Sequence, residues 1–340
     1  KRFDLRSPSG TRLLISRTGI PAGRFTFAHL LTLILTKWGD EGMKAGFIGT
    51  GSMGEPLAAN ILDQEKSLVA YDINPQATIK LAEKQARIVG SPVAVANESD
   101  LVFACMPSIE TFRTVITGEE GVIYGNQMKT FVNLGTVGTE VVSEMEEVLS
   151  AKGIPMLDAP ITGGVQRAWD ADMTVITSGP QAVYDQVEPF LKSFARDIFY
   201  VGDQVGQAQI AKVCNNIMSF TNLVIGLEAL TLASKGGLDP QKALDVINSG
   251  SGQNSATLSK IPNSVMKGEF NLQAPMHIIA KDAMLWRVES ERLKVPQGVG
   301  SATYQTIQQA LAMGLQDGDL SEIVKVIERT AGAKILQYDD

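Results

Sequence analysis

From residue 43 onward, short apolar runs alternate with stretches in which apolar residues recur every three or four positions. The runs at 44–48, 67–71, 101–106, 130–134, 155–157 and 173–177 are of strand length, and turn-forming residues bound several of them. Helical spacing fills 55–62, 76–85, 109–116 and 139–151. Alternation at this spacing predicts a parallel sheet covered by helices on both faces. After Gly206 the pattern changes, and long helical stretches follow at 206–234, 240–248, 280–292, 299–312 and 321–330. The predicted fold class is an α/β domain over 43–204 followed by an all-α C-terminal domain over 205–336.

The first strand runs into Gly49-Thr50-Gly51-Ser52-Met53-Gly54, a G-x-G-x-x-G pattern that opens a helix. In a Rossmann-type dinucleotide-binding domain, Gly49 permits the tight turn and Gly51 lets the backbone approach a pyrophosphate. Gly54 allows close packing of helix on strand. The helix N-terminus, reached through Ser52 and Met53, attracts phosphate charge. Alone the pattern is weak; its place between an apolar strand and a helix supports it. Asp72 ends the next strand, eighteen residues past Gly54. A carboxylate there accepts hydrogen bonds from ribose hydroxyls and repels a 2′-phosphate, which favours NAD over NADP. The alternative is an ordinary turn acid in Asp72-Ile73-Asn74-Pro75.

The stretch 209–232 is apolar nearly all round, as buried helices are. Lys212, Asn216 and Ser219 nevertheless fall at i, i+4 and i+7, one narrow polar line. A buried lysine without a partner is costly. Beside a cationic nicotinamide ring its pKa falls, which suits a proton shuttle near neutral pH. The alternative is a lysine whose stem follows the core while its head reaches solvent.

Composition narrows the chemistry. Of 340 residues, 44% are apolar and 20% charged, an ordinary globular balance long enough for two domains. A net charge of −7 gives no sign of a nucleic-acid surface. Cys105 and Cys214 sit inside apolar runs and read as small buried residues in a reducing compartment. With only two histidines, His29 and His277, no zinc site is expected. No uninterrupted apolar run reaches the roughly 18–20 residues that span a bilayer, so no membrane partner is expected. Residues 1–42 carry Lys1, Arg2, Arg6, Arg12, Arg17 and Arg24 against one early acid, Asp4, before an apolar stretch at 25–36. That composition fits a transit or export segment; Met43, just before the first strand, equally fits a non-native or mis-started extension. The expected location is the cytoplasm, or the mitochondrial matrix if the transit reading holds.

Taken together, these residues resemble the β-hydroxyacid dehydrogenase family. The resemblance runs from Met43 to about Ala333 on four separated motifs in matching order. They are the glycine loop, DAPITGG at 158–164, GQAQIAKVCNN at 206–216, and Lys281-Asp282. The resemblance implies that Thr162 and the backbone N–H groups of Gly163 and Gly164 hold a substrate carboxylate, an arrangement suited to an anion. Thr162 stands where the family usually has serine. It further implies Lys212 as catalytic lysine, Asn216 as the residue orienting lysine and substrate, and Lys281 near the cofactor. Met106-Pro107 and Thr136, on loops after strands, would contact the nicotinamide ribose. Departures are Ala171 for a usual glycine, Met173 for leucine, Gly135 for a common serine and Trp286 at a usually small position; they suggest a remodelled pocket. Arg167 is either a contact for a second anionic group or a solvated surface residue.

The implied activity is hydride transfer between NAD and a small β-hydroxy acid, 3-hydroxyisobutyrate-like or glycerate-like, with lysine as general acid and base. A homodimer or homotetramer with the helix from about residue 206 in its interface is also implied. Rival chemistries fit less well. No tyrosine is followed four residues later by lysine, His277 lacks the context of a histidine base, and Asn215 stands where 6-phosphogluconate dehydrogenases have histidine. An imine reductase-like enzyme usually lacks the lysine, and a non-catalytic NAD-binding scaffold would be expected to have lost it.

Overall fold

The computed structural model describes residues 43–336, together with the backbone of two short strands, β1 (Asp4–Arg6) and β2 (Arg12–Leu14), which pair antiparallel. The remaining residues of 1–42, on which the transit and extension readings fall, lie outside the described residues.

The second unit is built on a nine-stranded sheet. Its strands are β3 (Ala45–Ile48), β4 (Val69–Tyr71), β5 (Arg87–Ile88), β6 (Leu101–Ala104), β7 (Thr130–Asn133), β8 (Met156–Asp158), β9 (Ile161–Thr162), β10 (Met173–Ser178) and β11 (Ala195–Gly202). The order is β11-β10-β8-β7-β6-β3-β4-β5, with β9 beside β10. All residues of β3, β6 and β7 are buried, as expected of strands covered on both sides. The chain leaves β3 for β4 on one side and returns to β6 on the other, so a topological switch point lies at the C-terminal ends of β3 and β6.

Helices α1 (Gly54–Glu65), α2 (Ile79–Glu83), α3 (Pro92–Glu98), α4 (Ile109–Thr117), α5 (Thr139–Ser150), α6 (Val165–Trp169) and α7 (Gln181–Leu191) accompany the sheet. Leu57 and Ile61 of α1 join Val183, Val187 and Phe190 of α7 over Phe47 and Phe103 on one face. Val95, Phe112, Ile116, Val142 and Leu149 cover Ile48, Val102 and Phe131 on the other. Local chemistry starts several helices. Ser91 caps α3 with Pro92 in its first turn, and Ser108 forms a capping box with Thr111 at α4.

Beyond β11 come α8 (Gln207–Lys235), α9 (Pro240–Ser249), a π-helical turn at Ala256–Lys260, α10 (Ile261–Asn263), α11 (Met276–Arg292), α12 (Gly298–Ala312) and α13 (Ile323–Ala331). The central α8 packs against α9, α11, α12 and α13. Ile217, Phe220, Leu223 and Leu227 meet Ile279, Ala283, Ile307 and Val324 in a third apolar cluster.

Several expectations need correction. β10 runs antiparallel to β8 and β9 and parallel only to β11. The link from Thr162 to Met173 is too short for the crossover that a parallel pair requires. The helix expected at 76–85 is a 3-10 turn, Pro75–Thr78, followed by the single turn of α2. α7 and β11 were not anticipated, although Val183, Val187, Phe190 and Leu191 recur at helical spacing. By length and mean hydropathy, α8 does qualify as long and apolar enough to cross a membrane. Lys212, Asn216, Asn222 and Glu228 interrupt it, so it contains no unbroken apolar run of that length. Nor is α8 buried all round: Cys214 is exposed, as are Met218, Ile225 and Leu232.

Candidate active site

The glycine loop closes the C-terminal end of β3. Gly49 has φ +86°, a left-handed conformation, and donates its N–H to Tyr71 O at 2.9 Å. A Cβ on Gly54 would lie 1.8 Å from Gly49 O, so only glycine lets α1 start this close to the strand. A Cβ on Gly51, by contrast, would meet nothing within 4 Å, which leaves open space beside an exposed backbone. Ser52 is exposed, and Met53 caps α1 without a side-chain hydrogen bond. The exposed backbone at Gly51 and Ser52, in an open cradle at the N-terminus of α1, fits a dinucleotide phosphate. Asp72 follows β4, and its carboxylate accepts from Thr50 N at 2.7 Å and Asn74 N at 2.8 Å. Sequence reasoning missed this bracing of the glycine loop by Asp72.

Two further strand ends converge on the same edge. Met106 and Pro107 follow β6, and a Cβ on Gly49 would strike Met106 Cε. The loop after β7 carries Thr136, which is buried. Its backbone is fixed by Gln209, whose Oε1 accepts from Val137 N at 2.9 Å and Gly138 N at 3.0 Å. Gln209 Nε2 donates to Gly135 O at 3.1 Å and Asp158 Oδ1 at 2.8 Å, and Asn133 Nδ2 also reaches Asp158 Oδ1 at 2.9 Å. Burial pushes Asp158 up to about 7, opposed by the hydrogen bonds from Asn133 and Gln209 that favour its carboxylate. Ala208 N donates to Ser178 Oγ at 2.9 Å, so strand ends and loops grip the first turn of α8.

Lys212 lies on the turn beyond. It is 8% exposed, and its ammonium makes no hydrogen bond among the described residues. Burial lowers its pKa to about 8; Asp282 opposes that shift, while Lys281 and Lys260 add to it. Asn216 is also buried but does not bond Lys212. Its Nδ2 donates to Asp282 Oδ2 at 2.7 Å, so Asn216 reaches the surroundings of Lys212 through Asp282. Asp282 Oδ1 accepts from Lys281 Nζ at 2.7 Å, and Lys281 also donates to Thr136 O. Asn215 Nδ2 reaches Thr162 Oγ1 at 3.4 Å, drawing the end of β9 against α8. One cluster thus gathers Lys212, Asn216, Lys281, Thr136 and Thr162. Asp282, at its centre, was named in the sequence only as the neighbour of Lys281.

Beyond Thr162, Gly163 adopts φ +152° against Met173 Sδ, and Gly164 is exposed with φ +87° before α6. Ala171 sits at φ 54°, in the left-handed region, where the glycine that the resemblance leads one to expect would be unstrained. Arg167 is held by Asp172 at 2.8 Å. Trp286 lies with its ring against Gly300 in the helical core, so its bulk is spent on packing. Among the described residues, no three His, Cys, Asp or Glu side chains gather to hold a metal.

Known proteins resemble this chain over most of its length. Residues 44–202 match the profile of the NAD binding domain of 6-phosphogluconate dehydrogenase. Residues 206–327 match that of the NAD-binding region of NADP-dependent 3-hydroxyisobutyrate dehydrogenase. The 2-(hydroxymethyl)glutarate dehydrogenase of Eubacterium barkeri is 30% identical over 297 residues, 87% of this chain and 98% of that protein. A 3-hydroxyisobutyrate dehydrogenase of Pseudomonas aeruginosa is 32% identical over 211 residues, covering 62% of this chain and 70% of the relative. The crystal structure of a 3-hydroxyisobutyrate dehydrogenase from Salmonella typhimurium superposes with a TM-score of 0.75 at 25% identity, covering 84% of this chain and 99% of that one. Similarity therefore extends across both the glycine loop and the lysine-bearing helix, and the chain belongs to the β-hydroxyacid dehydrogenase family.

Proposed function

We propose that this chain oxidises a small β-hydroxy acid with NAD, reversibly, using Lys212 as the proton-transfer group. One observation carries the reading. Lys212 is a buried, unbonded ammonium with a pKa near neutrality, on the helix that Asn215 ties to the Thr162 loop. In oxidation, neutral Lys212 would take the hydroxyl proton as the carbonyl forms, and in reduction it would return that proton. Thr162 Oγ1 and the N–H groups of Gly163 and Gly164 would hold the carboxylate. Asn216 and Asp282 would keep the lysine's surroundings fixed. Gly49, Gly51, Ser52, Met53 and Gly54 would hold the dinucleotide phosphates, with Met106, Pro107, Thr136 and Lys281 toward the nicotinamide end. When bound, the nicotinamide supplies the hydride acceptor and donor.

Mixing the purified protein with NAD and a panel of β-hydroxy acids should produce reduced-nicotinamide absorbance. Tight NAD binding with silence toward every acid would instead favour a non-catalytic scaffold.

Asp72 supports NAD over NADP, because its charge would face a 2′-phosphate. We expect a higher kcat/KM with NAD, and a narrower NAD-to-NADP ratio in Asp72→Asn. A wild-type preference for NADP would reverse the assignment.

The exposed apolar residues Met218, Ile225 and Leu232 recur seven apart on α8 and support a homo-oligomer formed through this face. Light scattering should report at least a dimer, and Met218→Glu with Leu232→Glu should shift it toward monomer. A wild-type monomer at micromolar concentration would remove this assignment.

A further inference from the structure

The polar line on α8 does not stop at Asn216. Ser219 continues it, about 10 Å from Lys212 along the helix axis at 1.5 Å per residue. Its Oγ accepts a hydrogen bond from Lys260 Nζ. Lys260 closes the π-helical turn Ala256–Lys260, a geometry that recurs at functional sites. This turn packs on α8 through buried Ala256 and Thr257, with Ile261 just beyond.

Two features set Lys260 apart from a surface lysine. Burial holds its pKa below the ordinary lysine range, and no carboxylate lies within ion-pair distance of it among the described residues. It also stands close enough to Lys212 to depress that group's proton affinity, as Lys281 does. Among the described residues, three lysines therefore share the region with one carboxylate, Asp282, whose oxygens are already occupied by Lys281 and Asn216. A partly buried cation without a counter-charge is unfavourable, and an anionic ligand group is what relieves it. One substrate carboxylate is already assigned to the Thr162 loop. Arg167, the other candidate for a second anion, is engaged by Asp172.

We infer that the substrate is a dicarboxylic β-hydroxy acid, its reacting end at Lys212 and its second carboxylate on Lys260 and Ser219. This rests on the dehydrogenase reading above.

Two acids that share the same reacting CH2OH group make the test: 2-(hydroxymethyl)glutarate, which carries a distal carboxylate, and 3-hydroxyisobutyrate, which carries a methyl group there. Wild-type protein should give the higher kcat/KM with the diacid. Lys260→Met should lower the diacid-to-monoacid ratio by about 10- to 100-fold, the worth of one charge-assisted hydrogen bond. Lys260→Arg should retain most of the preference. A wild-type protein indifferent to the distal carboxylate, or an unchanged ratio in Lys260→Met, overturns the inference and leaves the dehydrogenase reading intact. Calorimetry on NADH-loaded protein supplies a readout independent of turnover. Unreactive 2-methylglutarate should bind more tightly than isobutyrate, and Lys260→Met should abolish the difference. If that binding pattern holds while neither hydroxy acid is oxidised, the second-carboxylate site stands and the proposed reaction fails.

Discussion

Lys212→Met should reduce turnover by roughly 10²- to 10⁴-fold, the usual contribution of a positioned general acid–base, while making the protein more stable at pH 7. Both effects come from one burial. The folded-state pKa of Lys212 is about 8, below its ordinary value of 10.5. Below pH 8 the lysine is charged in both folded and unfolded chains, and the folded chain bears the full cost of burying that charge. Between pH 8 and 10.5 the folded state releases the proton first, so stability rises with pH and the cost recedes. At pH 7 that cost is on the order of 3 kcal/mol, from 1.36 kcal/mol per pKa unit, and methionine removes it. Denaturant unfolding at pH 7 should therefore show a higher midpoint for the variant, with the gain shrinking toward pH 10. The same pKa sets the rate profile. Oxidation needs the neutral amine and should rise with pH to a plateau above about 8, whereas reduction needs the ammonium and should fall there. A variant as active as the wild type, or an oxidation limb far from pH 8, would remove Lys212 from the mechanism.

Asp282→Ala is the second large effect. It strips the counter-charge from Lys281 and the acceptor from Asn216 in a buried setting. Breaking a buried pair from one side costs roughly 3–5 kcal/mol, because the remaining charge is left unpaired. Asp282 also holds the Lys212 pKa up against burial, so its loss should move the oxidation limb to lower pH. Asp282→Asn separates the two consequences. It keeps an acceptor and a side chain of the same shape, so much of the stability should return, while the limb stays shifted because the charge is gone. Unchanged unfolding of the alanine variant, together with an unshifted profile, would show Asp282 to be incidental.

The parts of the site legible in the sequence were those encoded by local spacing. Gly49, Gly51 and Gly54 announce a turn between strand and helix, and Lys212 and Asn216 announce one helical face. The contacts that complete the site join residues far apart in the chain. Asn216 meets Asp282 across 66 positions, and Gln209 meets Gly135 across 74. No periodicity reports such pairs. The exposure of Cys214 escaped notice for a related reason. A helical wheel reveals which positions are apolar but not which face the neighbouring helices leave uncovered. Lys260 was hidden by its setting, since a π-helical turn running into Pro262 breaks the repeat that would have drawn attention to it.

The gripping of α8 near Gln209 has a mechanical consequence. A rod clamped at one end swings least beside the clamp. Lys212 stands three residues past Gln209, whereas Ser219 stands ten past it. Flexing of this helix therefore displaces the proton-transfer nitrogen far less than the distal contact with Lys260. The packing of α9, α11, α12 and α13 along α8 limits what flexing remains, and the distance over which the proton moves is the better fixed of the two.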